Sequence, residues 1–513
     1  MNWFRKLLFP EKVSWEKKLV FPRWPHLQLT DEANQKIVSA LSYQAEVLED
    51  HGSRVKLRHQ ERSEKFPEPQ EGFARKNELI PIEDADNYFI RRLRNAPHQP
   101  WCWICHSMAS VHRKDYQRAI LDLSQALDLF DEPSVRDYRA EQYMQLKEYN
   151  RALEDCEAAI AFSPEEPFYY HSRGFCWMKL KQFDKAFQDC EQAIQIDSSF
   201  YPAYLLRGDL YMNLKEYEKA VEDYSYAITL ESKIVSGYYS RASALIFLDR
   251  LEEALQDCHL AIELDPNESA SYFYCGRIFS LQHNQAEAIE AYSKAVRLDP
   301  KDQCGRLNRG IIYLEQSKFH LALKDFHRVL EIDASDALAY LNLGSLWALQ
   351  GEYQKALEYY DTCIELESLH QAYSSRAVVY AEMGNYRQAL DDFEASLLQE
   401  NSENAVSRDF AYFLSVCPDE NFRDGERALK LAKEGMEKIG MQVDWSFEGT
   451  LAAAYAEVGD FDKATEHQKR CLMDTSLDGE NREEQEESLQ LFLRKTPLRK
   501  VGKLMQNLYR TVC

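Results

Sequence analysis

Residues 167–200 decide the fold of this chain, and they read PFYYHSRGFCWMKLKQFDKAFQDCEQAIQIDSSF. The small Gly174 and the large Trp177 lie in the first half, Phe183 closes a turn, and Ala186 opens the second half. Spacings of three and four residues put such groups on one face of a helix. Small residues let two helices cross closely, and the rings supply apolar area around the crossing. The stretch therefore predicts two helices joined by a turn.

This hairpin pattern recurs every 34 residues over most of the chain. A single hairpin cannot bury its apolar face, so hairpins of fixed period stack on their neighbours. The alanine returns as Ala152, Ala186, Ala220, Ala254, Ala288, Ala322 and Ala356. Twelve residues before these lie Ala140, Gly174, Gly208, Ala242, Gly276, Gly310 and Gly344. The repeat predicts an all-α solenoid.

The large, small and aromatic positions of one unit are held by Tyr340, Leu343, Gly344, Trp347, Tyr353, Ala356 and Tyr360. Their order resembles the tetratricopeptide repeat (TPR) family. The resemblance implies a right-handed superhelix of about eleven helix-turn-helix units over residues 100–479, the last two units being less regular. It also implies that the first helix of each pair lines a concave face.

Two segments flank this array. Residues 1–99 show no repeat; they are basic and aromatic at the start and then predicted to be helical, with one helix from Thr30 to about Asp50. Residues 480–513 are expected to form a capping helix and a basic tail.

The segment from Phe413 onward resembles the C-terminal repeat modules of large bacterial signalling proteins. Such modules often accompany a kinase or peptidase domain, and no such domain is visible in this sequence. The resemblance keeps open a regulatory subunit of a larger enzyme, defence or signalling assembly. It rests on Cys417-Pro418-Asp419, Arg423-Asp424-Gly425, Leu451 to Glu457 and Gly459-Asp460-Phe461.

The composition of the chain restricts the classes of partner and the compartment that we expect. The net charge of −23 disfavours nucleic acid, because phosphates would be repelled. Residues 1–30 and 494–513 are basic, with net charges of +4 and +6, so these ends either pair with an acidic body or another copy or are merely solvated. No apolar run reaches about 18 residues, which argues against a membrane span. Twelve cysteines without an export signal favour the cytoplasm.

The sharpest chemical motif is Cys102-Trp103-Ile104-Cys105-His106, which matches the attachment sequence of c-type haem. Trp103 falls where the repeat places its first large residue, so packing is favoured over a haem or metal site. No phosphate-binding loop, zinc-protease motif or serine nucleophile motif is present. We therefore expect no cofactor and no catalytic activity. The recurring acids predict a solvated face and not an ion-binding strip: Asp155, Asp189, Asp223, Asp257, Asp325 and Asp392.

The lining positions implied by the TPR resemblance are unusually apolar, and methionines there adapt to varied partners. Such a groove favours an extended hydrophobic peptide or an amphipathic helix, including the chain's own N-terminus. The Lys/Asn/Arg cluster with which some TPR domains grip a carboxylate is missing. The predicted contacts are Met144, Phe175, Met178, Leu205, Met212, Tyr239, Ile246, Phe273, Leu307, Ile311 and Leu341.

The leading hypothesis is thus a non-catalytic scaffold or adaptor that binds one or more proteins or peptides. A peripheral membrane tether is the other alternative, because Trp3, Phe4, Leu7 and Leu8 beside two basic residues could form a weak interfacial anchor.

Overall fold

The structure is a computed structural model that describes residues 97–500, apart from 368, 400–403, 440–444 and 475–478. Before residue 97 it describes the backbone of seven strands and a few helical residues between 89 and 94. The chain forms two compact units, Met1–Asp249 and Arg250–Cys513.

The N-terminal segment contains an antiparallel sheet, which corrects the predicted helix from Thr30 to Asp50. Its strands pair in the order β3-β2-β6-β5-β4-β1-β7. In β5 the apolar Val55 and Leu57 alternate with basic residues, which is a period of two rather than 3.6. Only Gly52 and Ser53 separate β4 from β5 in the sequence, a spacing typical of a hairpin. The strands are β1 Leu19–Pro22, β2 Leu27–Thr30, β3 Lys36–Leu41, β4 Ala45–His51, β5 Arg54–His59, β6 Glu71–Arg75 and β7 Leu79–Pro81.

From residue 97 onward the described part is helical, as the repeat predicts. In the first unit the helices are α1 Pro100–His112, α2 Tyr116–Leu129, α3 Pro133–Gln145, α4 Tyr149–Phe162, α5 Pro167–Lys179, α6 Phe183–Ile196, α7 Tyr201–Asn213, α8 Tyr217–Leu230 and α9 Val235–Phe247. We call the first helix of each pair, such as α3 or α5, an A helix and the second a B helix.

In the second unit the pairing continues to a final helix. Its helices are α10 Leu251–Leu264, α11 Ser269–Leu281, α12 Gln285–Leu298, α13 Gln303–Glu315, α14 Phe319–Ile332, α15 Ala337–Leu349, α16 Tyr353–Leu366, α17 His370–Glu382, α18 Tyr386–Leu397, α19 Asn404–Val416, α20 Gly425–Ile439, α21 Trp445–Glu457, α22 Phe461–Met473 and α23 Gly479–Leu493. A 3-10 turn, Glu420–Phe422, lies in the longer connection between α19 and α20. Phe492 of α23 is buried in the core of the last pairs.

The A and B helices of one pair cross at the small residue that recurs in the sequence. A Cβ atom added to Gly208 would lie 2.5 Å from Cε1 of Tyr224, which is fully buried on α8. Carbon atoms pack at about 3.5–4.0 Å, so only glycine fits against this ring. The same geometry places Gly344 against Tyr360 in the second unit. The predicted close crossing is confirmed at both positions.

Candidate functional site

The recurring acids are not solvated, which corrects their interpretation as an exposed face. Asp189 is 4 % exposed, and the Arg173 guanidinium donates two hydrogen bonds to its carboxylate, at 3.0 and 2.6 Å. Each such pair joins an A helix to its B helix across sixteen residues of sequence. Paired, bidentate geometry is what lets a carboxylate be buried. The other described pairs are Arg139–Asp155, Arg207–Asp223, Arg309–Asp325 and Arg376–Asp392.

Several of these arginines also contact the preceding B helix. Arg139 donates to the Ser124 hydroxyl of α2 at 2.9 Å, in addition to its carboxylate partner on α4. Arg309 does the same with Ser293 of α12, also at 2.9 Å. One guanidinium therefore ties three helices together. These charged groups stabilise the array and are not free to bind a ligand.

The Cys102-to-His106 motif takes part in the same packing between helices. Cys102, Cys105 and His106 are all buried in α1, and burial raises the pKa of the Cys105 thiol. His106 Nδ1 lies 2.7 Å from Asp122 Oδ2, again sixteen residues away, so His106 stands where later repeats have arginine. Trp103 packs against the buried cluster of Leu123, Ala126, Leu127 and Val135, as its position in the repeat predicts. Among the described residues, no cluster of three or more histidines, cysteines and carboxylates could hold a metal ion.

The predicted contact residues divide into two groups. Five are buried in the packing of their own unit: Met178, Ile246, Leu307, Ile311 and Leu341. Six remain half-buried: Met144, Phe175, Leu205, Met212, Tyr239 and Phe273. Five of the half-buried residues lie on successive A helices of the first unit, α3, α5, α7 and α9. We call Met144, Phe175, Leu205, Met212 and Tyr239 the A-helix surface.

A cavity of about 490 Å³ opens between α3 and α5 at one end of this surface. Its volume lies within the range of about 300–1,000 Å³ that is typical of ligand pockets. We call it the α3–α5 cavity. Its walls are apolar for the most part but include an acid, an amide and an imidazole. The lining residues are Val111, Tyr116, Tyr138, Glu141, Gln142, Met144, Gln145, Phe168, His171, Ser172 and Phe175.

Acidic groups stand out in this cavity and directly beside it. Burial raises the pKa of Glu141 to about 7. One turn earlier on α3, burial and then repulsion by Glu141 raise the pKa of Asp137 to about 8, although the Ser172 hydroxyl bonds to it and opposes the shift. Burial lowers the pKa of His171 to about 4, so this ring is neutral near pH 7. The α3–α5 cavity therefore carries latent negative charge and no positive charge from its histidine.

Sequence reasoning named Met144 and Phe175 but missed the polar residues beside them. Asp137, Glu141 and His171 occupy the same fifth and ninth positions of their repeats as the predicted apolar contacts. The available signal was a carboxylate at two consecutive lining positions of one A helix. The proposed anchor residues Trp3, Phe4, Leu7 and Leu8 lie outside the described residues. None of the described helices combines the length and apolar composition needed to span a membrane.

Comparison with known families identifies the hairpins. One tetratricopeptide repeat model matches residues 307–366, and a second matches residues 201–234, 235–268 and 271–302. The chain is a TPR protein. Members of this repeat class generally bind protein or peptide partners. A comparison with curated proteins gives no match.

Several solved TPR structures are similar to this TPR protein. Yeast Tom70 is 15 % identical, with a TM-score of 0.43, over 77 % of this chain and 95 % of its own. The human IFIT1 dimer with PPP-AAAA is 13 % identical, with a TM-score of 0.46, over 76 % and 94 %. YrrB, described as a TPR protein with an unusual peptide-binding site, is 23 % identical, with a TM-score of 0.29, over 36 % and 94 %. Likeness at these levels concerns the fold alone.

Proposed function

We propose that this TPR protein is a non-catalytic scaffold that binds an extended segment of a partner protein along the A-helix surface. The observation that carries the proposal is a row of half-buried apolar side chains on α3, α5, α7 and α9 that ends in an open cavity. A hydrophobic surface exposed in this way favours association with another apolar surface.

The chemistry of the row suits peptide binding. Met144 and Met212 carry flexible, polarisable thioethers that adapt to different side chains. Phe175 adds a ring that remains half-buried, and the Lys179 ammonium lies 5.1 Å from its centroid. An extended peptide would present alternate side chains to such a row, as in other grooves formed by regular secondary structure.

The test uses peptides selected by display of random twelve-residue sequences on the full-length protein. Binding of the selected peptides is then measured by fluorescence anisotropy. The variant Met144→Gln with Met212→Gln keeps the side-chain length but makes the surface polar, and we expect it to bind at least about ten-fold more weakly. Circular dichroism verifies that the variant retains the helical content of the parent.

The matched control replaces two exposed apolar residues of B helices in the same unit. Leu121→Gln with Tyr226→Gln removes similar area where the side chains are 60 % and 46 % exposed, and we expect peptide affinity to be unchanged. Failure to select any peptide would overturn the proposal. An equal loss of affinity in the control variant would do so as well, because binding would then lie elsewhere.

A further inference from the structure

The α3–α5 cavity contains a buried hydrogen-bond acceptor that lacks a donor, and a second one lies beside it. Gln142 is 2 % exposed, and its Oε1 atom has no hydrogen-bond partner among the described residues, while its Nε2 donates to the Tyr138 carbonyl at 2.9 Å. Asp137 lies one turn before Glu141 on α3 and outside the lining; it is 5 % exposed, and its Oδ1 atom is likewise without a partner among the described residues. A buried polar group without a partner is unfavourable, so a ligand that donates hydrogen bonds would be stabilised.

The charge of the site points the same way. Glu141 makes no ion pair with any described residue, and the lining contains neither lysine nor arginine. The two arginines of α3 are already engaged, since Arg136 pairs with Asp131 and Arg139 pairs with Asp155. The lining therefore offers carboxyl and amide oxygens but no cation, although the Lys179 ammonium lies 5.1 Å from the centroid of the Phe175 ring that forms one wall.

The apolar walls match the rest of a basic side chain. Met144, Phe168 and Phe175 line the cavity around the acids. Lysine and arginine carry an aliphatic stem that packs on apolar surface while the charged end makes polar contacts. Aromatic rings also attract a cation at their faces. The rings of His171 and Phe200 pack in a T-shaped arrangement, with their centroids 6.0 Å apart.

We propose that the α3–α5 cavity binds a basic side chain, arginine or lysine, of the partner segment, with Glu141 and Asp137 as counter-charges and Gln142 Oε1 as an acceptor. The inference rests on the proposed function, because it assigns one residue of the segment that lies on the A-helix surface. Charge-assisted hydrogen bonds of this kind are about twice as strong as neutral ones. The cavity would thus fix the register of an otherwise apolar peptide.

The proposal includes a dependence on pH. Burial holds both carboxyl groups partly protonated near neutrality, and repulsion by Glu141 adds to the raised pKa of Asp137, so a bound cation must expel their protons. Ionisation of Glu141, whose pKa is raised to about 7, increases about ten-fold between pH 6 and 8.5, and affinity should rise accordingly. Other titratable groups near the pair are Tyr116 of α2, Tyr138 of α3, Asp155 and Cys156 of α4, and Tyr169 and His171 of α5. The described residues of α1 contribute only Val111 to the lining.

The test uses nine-residue fluorescent peptide pools with random leucine, methionine and phenylalanine around a fixed central residue. That residue is arginine, lysine, citrulline, norleucine or glutamate, and binding to the full-length protein is measured by anisotropy. We expect the arginine and lysine pools to bind at least about ten-fold more tightly than the citrulline and norleucine pools. The glutamate pool should bind most weakly.

Two variants locate the effect. Glu141→Gln should abolish the preference for the arginine and lysine pools over the citrulline and norleucine pools. Glu154→Gln is the matched control, because Glu154 is an exposed acid on α4, and it should keep the full preference. If Glu141→Gln fails to fold, the test is instead the pH dependence of the affinity between the arginine pool and the parent protein.

The outcomes separate this inference from the proposed function. Equal binding of the arginine and citrulline pools overturns the inference and leaves peptide binding standing. A preference that survives Glu141→Gln, or that does not weaken from pH 8.5 to pH 6, places the basic side chain elsewhere and overturns it too. If no pool binds and peptide display also recovers nothing, the proposed function itself fails.

Discussion

Gly208→Ala is a severe test of the packing, because the structure shows what the added methyl group would meet. Its Cβ would lie 2.5, 2.8 and 2.9 Å from three ring carbons of Tyr224. The ring cannot swing away freely, since it is buried and its hydroxyl donates to Asp209 at 2.6 Å. Overpacking of this kind costs about 1–3 kcal/mol, and the better helix propensity of alanine returns about 1 kcal/mol. Three contacts shorter than 3.0 Å put this clash in the upper half of that range, so we expect a net loss of about 1–2 kcal/mol.

The same substitution one repeat earlier is the internal control. A Cβ on Gly174 would have no neighbour closer than 3.2 Å, because the position of the ring is held by Cys190. Helix propensity then dominates, and Gly174→Ala should be neutral or stabilising by up to about 1 kcal/mol. The two variants carry the same chemical change, so their difference isolates the ring.

Hydrogen exchange of the full-length protein, read by mass spectrometry, measures these local free energies, since a stack of repeats need not unfold in one step. We expect exchange in α7 and α8 of Gly208→Ala to be about ten-fold faster, whereas α5 and α6 of Gly174→Ala should show no acceleration. In a Tyr224→Cys background, which the lost ring itself destabilises, Gly208→Ala should cause no further acceleration, because Ala140 already faces Cys156 in this chain. Exchange at the parental rate in Gly208→Ala would refute the reasoning.

Three further predictions concern buried charge. Arg207→Met leaves the buried Asp223 without its partner and should destabilise α7 and α8 by about 3–5 kcal/mol, which is measured as faster hydrogen exchange. The control is Arg250→Met, which removes an exposed pair with Glu253 and should leave hydrogen exchange unchanged. Asp137→Asn should raise the melting temperature, and this increase should grow from pH 4 to pH 8, because the pKa of Asp137 in the folded state, about 8, exceeds that in the unfolded chain. The gain in the free energy of unfolding has a ceiling of about 5 kcal/mol. A difference in melting temperature that does not change with pH would contradict the prediction. His106→Arg should keep the melting temperature of the parent, since arginine can still pair with Asp122, whereas His106→Leu should lower it. An equal fall in melting temperature for both variants would show that the pair between residue 106 and Asp122 does not contribute to stability.

The helical pairs could be predicted from sequence because period and packing coincide. Each crossing needs one small residue and one large one at fixed spacing, and both are visible at Gly208 and Tyr224. The Arg173–Asp189 type of pair was also present in the sequence, as an arginine sixteen residues before a recurring acid. A recurring acid viewed without this arginine suggests a solvated face.

The cavity and the sheet required more than local pattern. Glu141 and His171 are 30 residues apart, and only the stacking of one A helix on the next brings them to one cavity and removes water from both. Burial of this kind depends on neighbours that a single repeat does not contain. The capping pattern at Thr30 predicts a helix, whereas the strand alternation farther along is the stronger signal.

The guanidinium contacts have a consequence for how such a chain can grow. Arg139 reaches back to α2 and across to α4, and Arg309 repeats this arrangement in the second unit, with the same sixteen-residue spacing to its aspartate. A block of 34 residues cut between two neighbouring arginines, such as Arg139 and Arg173, carries one donor and one set of acceptors with it. Gain or loss of a block by recombination would therefore join matching halves, and array length can change without redesign of the interior.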